Sequence, residues 1–247
     1  MKQYLLLKIF LLAFIVAGFT ISKDKTVIYT IGDSTMANKT AAVYPETGWG
    51  QVLSDFFDHE VIVKNHAVNG RSTKSFIAEK RWKAICDSLK PGDFVMIQFA
   101  HNDQKEKDSS RYTNPYTAYR KNLLRFIEET QAKGATPILL TPIVRRNFNE
   151  FGTLIDTHGP YPEVMRGVAK EKNILLIDLQ MMTEEMVIRH GPEGSKGLYL
   201  HVQSGDINYP QGKEDNTHLN EKGARMVAEM VATEISRFPV SIAGHVK

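Results

Sequence analysis

The chain has 247 residues, of which 42% are hydrophobic and 24% are charged, and this is enough apolar material for one substantial core. We therefore expect a single α/β domain. The formal net charge is only +3, which argues against nucleic acid as a partner because phosphate binding needs a concentrated basic surface. Cys86 is the only cysteine, so no disulfide can form within the chain.

Residues 1–22 have the pattern of a signal peptide. Lys2 and Lys8 precede an apolar stretch that runs from Ile9 to Phe19 and is followed by small residues. The alternative is an uncleaved membrane anchor, but the run is shorter than the roughly 20 residues that a spanning helix needs. We predict a mature domain at 23–247 that is exported, periplasmic or secreted, with no stable membrane insertion.

Short apolar runs rich in β-branched residues alternate with longer segments of helical period, which is typical of βαβ units in a parallel sheet. The predicted strands are Val27–Ile31, Val61–Asn65, Phe94–Phe99, Pro137–Thr141 and Ile174–Asp178. The predicted helices are Trp49–Phe57, Ile77–Leu89, Pro115–Lys133, Pro162–Lys172 and Asn220–Arg237. This order favours a three-layer α/β/α sandwich with a five-stranded parallel sheet of flavodoxin-like topology, whose ligands bind at the carboxyl ends of the strands.

The segment Gly191–Glu214 is rich in glycine and polar residues and has little periodicity, so we predict a long loop ahead of the last helix. Loops of this length inside a compact domain are often functional. We therefore expect His201 and Tyr209 to contact substrate.

The first predicted strand leads into Gly32-Asp33-Ser34-Thr35, which places a hydroxyl in a tight turn at the strand's carboxyl end. Ser34 is either a nucleophile or a helix cap, because serine suits both positions. A nucleophilic hydroxyl needs a base to remove its proton. Asp215 and His218 lie three residues apart ahead of the last helix, so the carboxylate can orient the imidazole.

Acyl transfer also needs donors aimed at the developing oxyanion. Gly70 follows the second predicted strand and allows a backbone N–H to approach closely, and Asn102 follows the third strand with an amide donor. Each turn by itself is ordinary. Together with the Ser34 and His218 loops, they indicate a serine hydrolase site at one edge of the sheet.

On these residues the chain resembles the SGNH (GDSL-type) hydrolases, whose four blocks contribute a Ser, a Gly, an Asn and a His. Ser34 in GDS, Gly70 in AVNG, Asn102 in HND and His218 in DNTH match those blocks. The resemblance spans nearly the whole mature chain and implies the SGNH hydrolase fold. It also implies a catalytic set of Ser34, Asp215 and His218, and an oxyanion hole formed by Ser34, Gly70 and Asn102.

Within that family the chain most resembles the rhamnogalacturonan acetylesterases, which remove acetyl groups from a pectin backbone. The matching stretches are IGDSTMA, GWGQ, NGRSTKSF, QFAHND and DNTHLNEKGA. The resemblance implies a serine esterase that acts through an acetyl-serine intermediate. Three alternatives stay open: an SGNH esterase for another acylated glycan or short-chain ester, a non-catalytic glycan-binding protein, and a flavodoxin-type cofactor binder.

Four further residues are candidates for substrate contact. Trp49 either stacks on a sugar or lies in the core. Asp103 either orients the Asn102 amide or an active-site water, or stabilises a turn. Arg71 and Lys74 follow Gly70 and can face the carboxylates of an acidic polysaccharide.

The sequence predicts no metal and no cofactor. His101 and His158 lack a ligand spacing such as HExxH, and the chain has no P-loop and no GxGxxG after a strand. We expect a monomer whose partner is an acetylated polysaccharide or oligosaccharide.

Overall fold

The computed structural model describes residues 25–247, so the predicted signal peptide at 1–22 lies outside the described residues. A five-stranded parallel sheet has the order β2-β1-β3-β4-β5. Its strands are β1 (Thr26–Gly32), β2 (Val61–Asn65), β3 (Phe94–Gln98), β4 (Thr136–Leu140) and β5 (Leu175–Ile177). The predicted number and order of these strands are confirmed.

Seven α-helices surround the sheet within residues 25–247. They are α1 (Trp49–Val52), α2 (Thr73–Ala78), α3 (Arg81–Ser88), α4 (Arg120–Ala132), α5 (Tyr161–Lys172), α6 (Leu179–Gly194) and α7 (Glu221–Arg237). None of the described helices is both long and apolar enough to cross a bilayer.

Alternate residues of the buried strands enter two separate cores, one on each face of the sheet. Ile28 and Met96 pack in the core that α1, α6 and α7 cover, whereas Tyr29 and Val95 pack in the core that α3, α4 and α5 cover. Successive side chains of a strand point to opposite faces, so both faces of these strands must be apolar. The predicted three-layer α/β/α sandwich is therefore confirmed.

Helix boundaries differ from the prediction where the backbone changes its conformation. The predicted helix Ile77–Leu89 is two helices, α2 and α3, because Lys80 between them adopts a left-handed conformation with φ 60°. The predicted helix Trp49–Phe57 is α1 followed by a 3₁₀ turn at Leu53–Phe56, and α4 is preceded by a π-helical turn at Pro115–Tyr119.

The prediction of a long loop at Gly191–Glu214 is wrong. Helix α6 runs through its beginning with a break at Gly191, and an antiparallel hairpin follows, formed by β6 (Tyr199–Val202) and β7 (Lys213–Leu219). The end of the hairpin is anchored, since the Tyr209 hydroxyl donates to the Val43 carbonyl at 2.8 Å. Strand β7 is largely polar, so its sequence lacks the apolar alternation by which strands are recognised.

Candidate active site

Ser34 lies in the turn directly after β1, at the carboxyl edge of the sheet. The neighbouring Asp33, and not Ser34, accepts the hydrogen bonds of this turn: its carboxylate accepts the Thr35 N–H at 3.0 Å and the Thr35 hydroxyl at 2.9 Å. The Ser34 hydroxyl is thereby left for another partner. The alternative in which Ser34 caps a helix is therefore not supported, because Asp33 fills the capping role in this turn.

A chain of hydrogen bonds joins Ser34, His218 and Asp215. His218 Nε2 lies 2.9 Å from Ser34 Oγ, although the two residues are 184 positions apart in the sequence. His218 Nδ1 lies 2.8 Å from Asp215 Oδ2, and Asp215 Oδ1 accepts the backbone N–H groups of Thr217 and His218 at 2.8 and 3.0 Å. The structure thus brings all three predicted catalytic residues together.

The carboxylate of Asp215 is held in its ionised form. Partial burial raises its pKa, but the hydrogen bonds from the His218 ring and from two backbone N–H groups outweigh burial and keep the pKa well below its usual value. An ionised Asp215 can fix the tautomer and orientation of the His218 ring and stabilise an imidazolium.

The strand that carries Asp215 and His218 is tied to the segment after β4. The Asn216 side-chain oxygen accepts a hydrogen bond from Arg146 Nη1 at 3.0 Å, and the Arg146 backbone N–H donates to the Asn216 carbonyl at 2.8 Å. His201 Nε2 lies 2.8 Å from the same Asn216 side-chain oxygen. His201 therefore supports strand β7 beside Asp215, a role that the sequence did not predict for it.

The predicted oxyanion-hole residues converge beside Ser34. The Val68 N–H donates to the Gly32 carbonyl at 3.1 Å, which holds the Gly70 turn against the Ser34 turn. Gly70 has φ 76°, a backbone conformation that strongly favours glycine. Asn102 is buried and its Nδ2 donates to the Arg71 carbonyl at 3.1 Å, next to Gly70.

Two backbone donors in this region are unused. Within residues 25–247, neither the Ser34 N–H nor the Gly70 N–H is hydrogen-bonded to a protein acceptor. Preorganised free donors next to a nucleophile can stabilise an oxyanion. The geometry is therefore suited to the addition of Ser34 to an acyl carbon.

A second carboxylate–imidazole pair lies beneath Ser34. His101 Nδ1 lies 3.2 Å from Asp33 Oδ2, and both side chains are buried. Burial raises the pKa of Asp33, but the charge of His101 and the hydrogen bonds from His101 and Thr35 outweigh it, so the pKa lies below its usual value. Burial also lowers the pKa of His101. The sequence did not predict this pair, and its only signal there is that His101 directly precedes Asn102.

The ring of His158 packs edge-on against His101, with the ring centroids 4.7 Å apart. His101 Nε2 and both ring nitrogens of His158 have no hydrogen-bond partner among the described residues. Across residues 25–247, no group of three His, Cys, Asp or Glu side chains has an arrangement that could hold a metal ion.

Two predictions of substrate contact are wrong. Trp49 is fully buried in the core, and its Nε1 donates to Gln98 Oε1 at 2.9 Å, so the ring cannot stack on a sugar. Asp103 is also fully buried and accepts hydrogen bonds from Thr73 Oγ1 at 2.5 Å and Thr113 Oγ1 at 2.7 Å. Burial raises the pKa of Asp103 to about 7. Asp103 therefore links α2 to the segment ahead of α4 inside the domain.

The other predicted substrate residues lie at the surface and already have partners. Arg71 forms an ion pair with Glu79 at 3.1 Å and also donates to the Asn69 carbonyl. The Lys74 ammonium donates to the Ser109 carbonyl at 2.6 Å. The structure does not test whether either residue contacts substrate.

Comparison with known proteins places this site in a described family. Residues 30–226 match the GDSL-like Lipase/Acylhydrolase family. The chain is 41% identical over 219 residues to the rhamnogalacturonan acetylesterase RhgT of Bacillus subtilis. This match covers 88% of this chain and 93% of RhgT. The chain is 35% identical over 208 residues to YesY of the same organism, a probable rhamnogalacturonan acetylesterase, covering 84% of this chain and 91% of YesY.

A solved structure shows the same fold. The crystal structure of YxiM from Bacillus subtilis superposes with a TM-score of 0.76 and 28% sequence identity. The match covers 88% of this chain and 58% of YxiM, so the chain spans little more than half of that longer protein.

Proposed function

The chain belongs to the GDSL-like Lipase/Acylhydrolase family, and from this premise we propose that it is an exported serine esterase that removes O-acetyl groups from rhamnogalacturonan. Membership of this family makes it a carboxylic ester hydrolase. The observation that carries the proposed mechanism is the unbroken series of hydrogen bonds from Asp215 through His218 to Ser34.

In the first half of the reaction Ser34 Oγ attacks the carbonyl carbon of the acetyl ester, and His218 Nε2 takes the hydroxyl proton. The carbonyl oxygen becomes an oxyanion, which the Ser34 and Gly70 N–H groups and the Asn102 amide stabilise. Asp215 stabilises the imidazolium of His218. When the tetrahedral intermediate collapses, His218 returns the proton to the sugar oxygen, and the sugar leaves with a free hydroxyl.

In the second half water hydrolyses the acetyl-serine. His218 removes a proton from the water as the water oxygen adds to the acetyl carbon, and the same donors stabilise the second oxyanion. Cleavage of the ester to Ser34 then releases acetate, and the proton returns to Ser34 Oγ. The cycle needs no group beyond the side chains and N–H groups named.

The proposed substrate rests on the relatives. RhgT is a rhamnogalacturonan acetylesterase, and the identity of 41% extends over almost the whole length of both chains. The roles proposed for Ser34, His218 and Asn102 suit any acetyl ester, so the polymer must be tested directly.

Acetate release from acetylated rhamnogalacturonan, compared with acetylated xylan, tests the substrate. We expect faster release from rhamnogalacturonan, and much faster turnover of short-chain than of long-chain p-nitrophenyl esters. A preference for long acyl chains contradicts the polysaccharide assignment. Labelling by a serine-directed phosphonate tests the chemistry: the wild type should be labelled and Ser34→Ala should not. A protein that binds the glycan without being labelled is a non-catalytic binder.

Export is proposed from the pattern of residues 1–22. Expression of the full chain in a bacterial host should yield a shorter protein outside the cytoplasm, whose new N-terminus is found by sequencing. A full-length product that stays in the membrane fraction contradicts cleavage. Light scattering of the mature protein tests the predicted monomer.

A further inference from the structure

Two cations near the Asn102 turn have no acidic partner. The Arg145 guanidinium donates only to neutral oxygens: Thr157 Oγ1 at 3.1 Å, the Thr157 carbonyl at 3.5 Å and the His101 carbonyl at 3.4 Å. Among the described residues, no carboxylate lies within 4.0 Å of the Arg145 guanidinium or of the Lys105 ammonium. Both charges are therefore free to meet an anion.

A side-chain contact places the Arg145 guanidinium, and a backbone contact places the Lys105 residue, beside the proposed oxyanion hole. The Lys105 N–H donates to the Asn102 carbonyl at 3.2 Å, and Arg145 contacts His101, the residue before Asn102. Arg145 follows β4, the strand next to β3, so it reaches the same edge of the sheet. The charge of Arg145 also acts on Asp33 and Asp215, on either side of the proposed nucleophile and base.

The two cations differ in exposure, since Arg145 is half-buried and Lys105 is exposed. Burial lowers the pKa of Lys105, and the nearby charges of Arg111 and Arg145 lower it further. Burial likewise lowers the pKa of Arg145, although the charges of nearby acids oppose this. A bound anion would relieve the repulsion that Arg111 and Arg145 exert on Lys105.

The acids that act on Arg145 do not neutralise it by direct contact. Asp33 is bonded to Thr35 and His101, and Asp215 to His218. Asp156 accepts the backbone N–H of Gly159 at 2.8 Å. Each carboxylate is thus directed at its own donors. By contrast, Arg71 is paired with Glu79, and Arg111 with Asp108 at 2.5 Å.

We propose that Arg145 and Lys105 form a carboxylate-binding subsite that holds a uronate residue of the substrate next to the acetylated sugar. A guanidinium binds a planar carboxylate with two parallel hydrogen bonds, and a lysine adds a mobile point charge. The inference rests on the proposed function, because only an acidic polysaccharide supplies a uronate. It assigns recognition to the segments after β3 and β4, whereas the sequence pointed to Arg71 and Lys74.

The first test measures steady-state kinetics of Arg145→Gln, Lys105→Gln and the double variant on acetylated rhamnogalacturonan and on p-nitrophenyl acetate. Loss of one charge-assisted hydrogen bond corresponds to about tenfold in binding, so each single variant should raise KM for the polymer about tenfold. The rise in KM for p-nitrophenyl acetate should be much smaller. Lys107→Gln removes the same charge from the same loop and is the matched control.

Equal losses of kcat on both substrates would show that Arg145 and Lys105 support the catalytic geometry, and would overturn the subsite. A tenfold rise in KM for Arg71→Gln or Lys74→Gln, with none for Arg145→Gln, would show that the Gly70 loop binds the uronate instead. Added salt should raise the wild-type KM for the polymer and have less effect on the double variant, since salt screens an exposed attraction.

A second test separates the subsite from the proposed function. Oligosaccharides of rhamnogalacturonan without acetyl groups should inhibit the wild-type hydrolysis of p-nitrophenyl acetate, and xylo-oligosaccharides should not. The double variant should lose this inhibition. If the wild type releases no acetate from the polymer, the proposed substrate is wrong, but the inhibition still reports on the subsite. Absent inhibition, or inhibition equal in both proteins, overturns the subsite.

Discussion

Two carboxylate–imidazole pairs flank Ser34, and they differ in what lies beyond the imidazole. In the pair formed by Asp215 and His218, the second ring nitrogen faces the Ser34 hydroxyl at 2.9 Å. In the pair formed by Asp33 and His101, the second ring nitrogen has no partner among the described residues. The side chain of His218 is 27% exposed and that of His101 is 4% exposed.

The difference shows why a carboxylate–imidazole pair can be catalytic at one position and structural at another. A catalytic imidazole must gain and lose a proton, so it needs a hydroxyl in reach and enough solvent to tolerate its charged form. His101 has neither, and burial lowers its pKa. Its bond to Asp33 instead links the Ser34 turn to the Asn102 turn.

Removal of Ser34 Oγ should have the largest effect on activity. Ser34→Ala should lower kcat for p-nitrophenyl acetate by about 10⁶, because no other hydroxyl within residues 25–247 is bonded to His218. The change removes one small polar atom, so the Tm should stay close to that of the wild type. Near-normal turnover would mean that the nucleophile is a different residue.

Asp215→Asn tests the Asp215–His218 pair, the more exposed of the two. The amide cannot hold His218 in the correct tautomer, so kcat should fall by about 10⁴. Combined with His218→Ala, the loss should be far less than the product of the two single losses, since the residues act as a unit. A fully active Asp215→Asn variant would show that another acid orients His218.

Asn102→Ala tests the donor that lies next to the buried pair. Loss of one oxyanion donor typically costs about 10²–10³ in kcat. The loss should appear in kcat for both the polymer and p-nitrophenyl acetate. If only KM rises, Asn102 binds the ground state and the transition state equally and is not an oxyanion donor.

Asp33→Asn repeats the Asp215→Asn exchange in the buried pair. A buried hydrogen bond to a charged group contributes about 1.5–3 kcal/mol, so the free energy of unfolding should fall by that amount. The loss of kcat should be far below that of Asp215→Asn. Denaturant unfolding together with kcat measures both effects. A kcat loss as large as that of Asp215→Asn would mean that the buried pair takes part in proton transfer.

His158→Phe should have the smallest effect, and one that depends on pH. Burial holds the pKa of His158 well below 6.5, so below that pH the unfolded chain takes up a proton that the folded chain does not. The wild type therefore loses stability as the pH falls below 6.5. Phenylalanine cannot titrate and can keep the edge-on contact with His101.

The Tm of His158→Phe should consequently drop less than that of the wild type between pH 8 and pH 5. His59 is a suitable control because its side chain is 83% exposed. His59→Gln should leave the pH dependence of the wild type unchanged. A drop in Tm for His158→Phe as large as that of the wild type would show that His158 is charged in the folded protein.

Local patterns of the sequence were sufficient for the sheet and for the positions of the four motif turns. The five apolar runs predicted β1 to β5, most directly β3 and β4, which are buried on both faces and need apolar residues at successive positions. Ser34, Gly70 and Asn102 follow β1, β2 and β3, so their convergence at one edge follows from parallel pairing. Asp215 and His218 were assigned from their spacing and from the family resemblance.

Only the tertiary structure decided which side chains are buried and which charges are free. The β6–β7 hairpin was predicted as a loop because its polar residues show no alternation. Trp49 lies in the core, where its Nε1 donates a hydrogen bond to Gln98. The charge of Arg71 is neutralised by an ion pair with Glu79. Asp33 and His101 are 68 positions apart, and Arg145 is a further 44 positions along. Their environments depend on non-local contacts, whereas period and turn chemistry are properties of short segments.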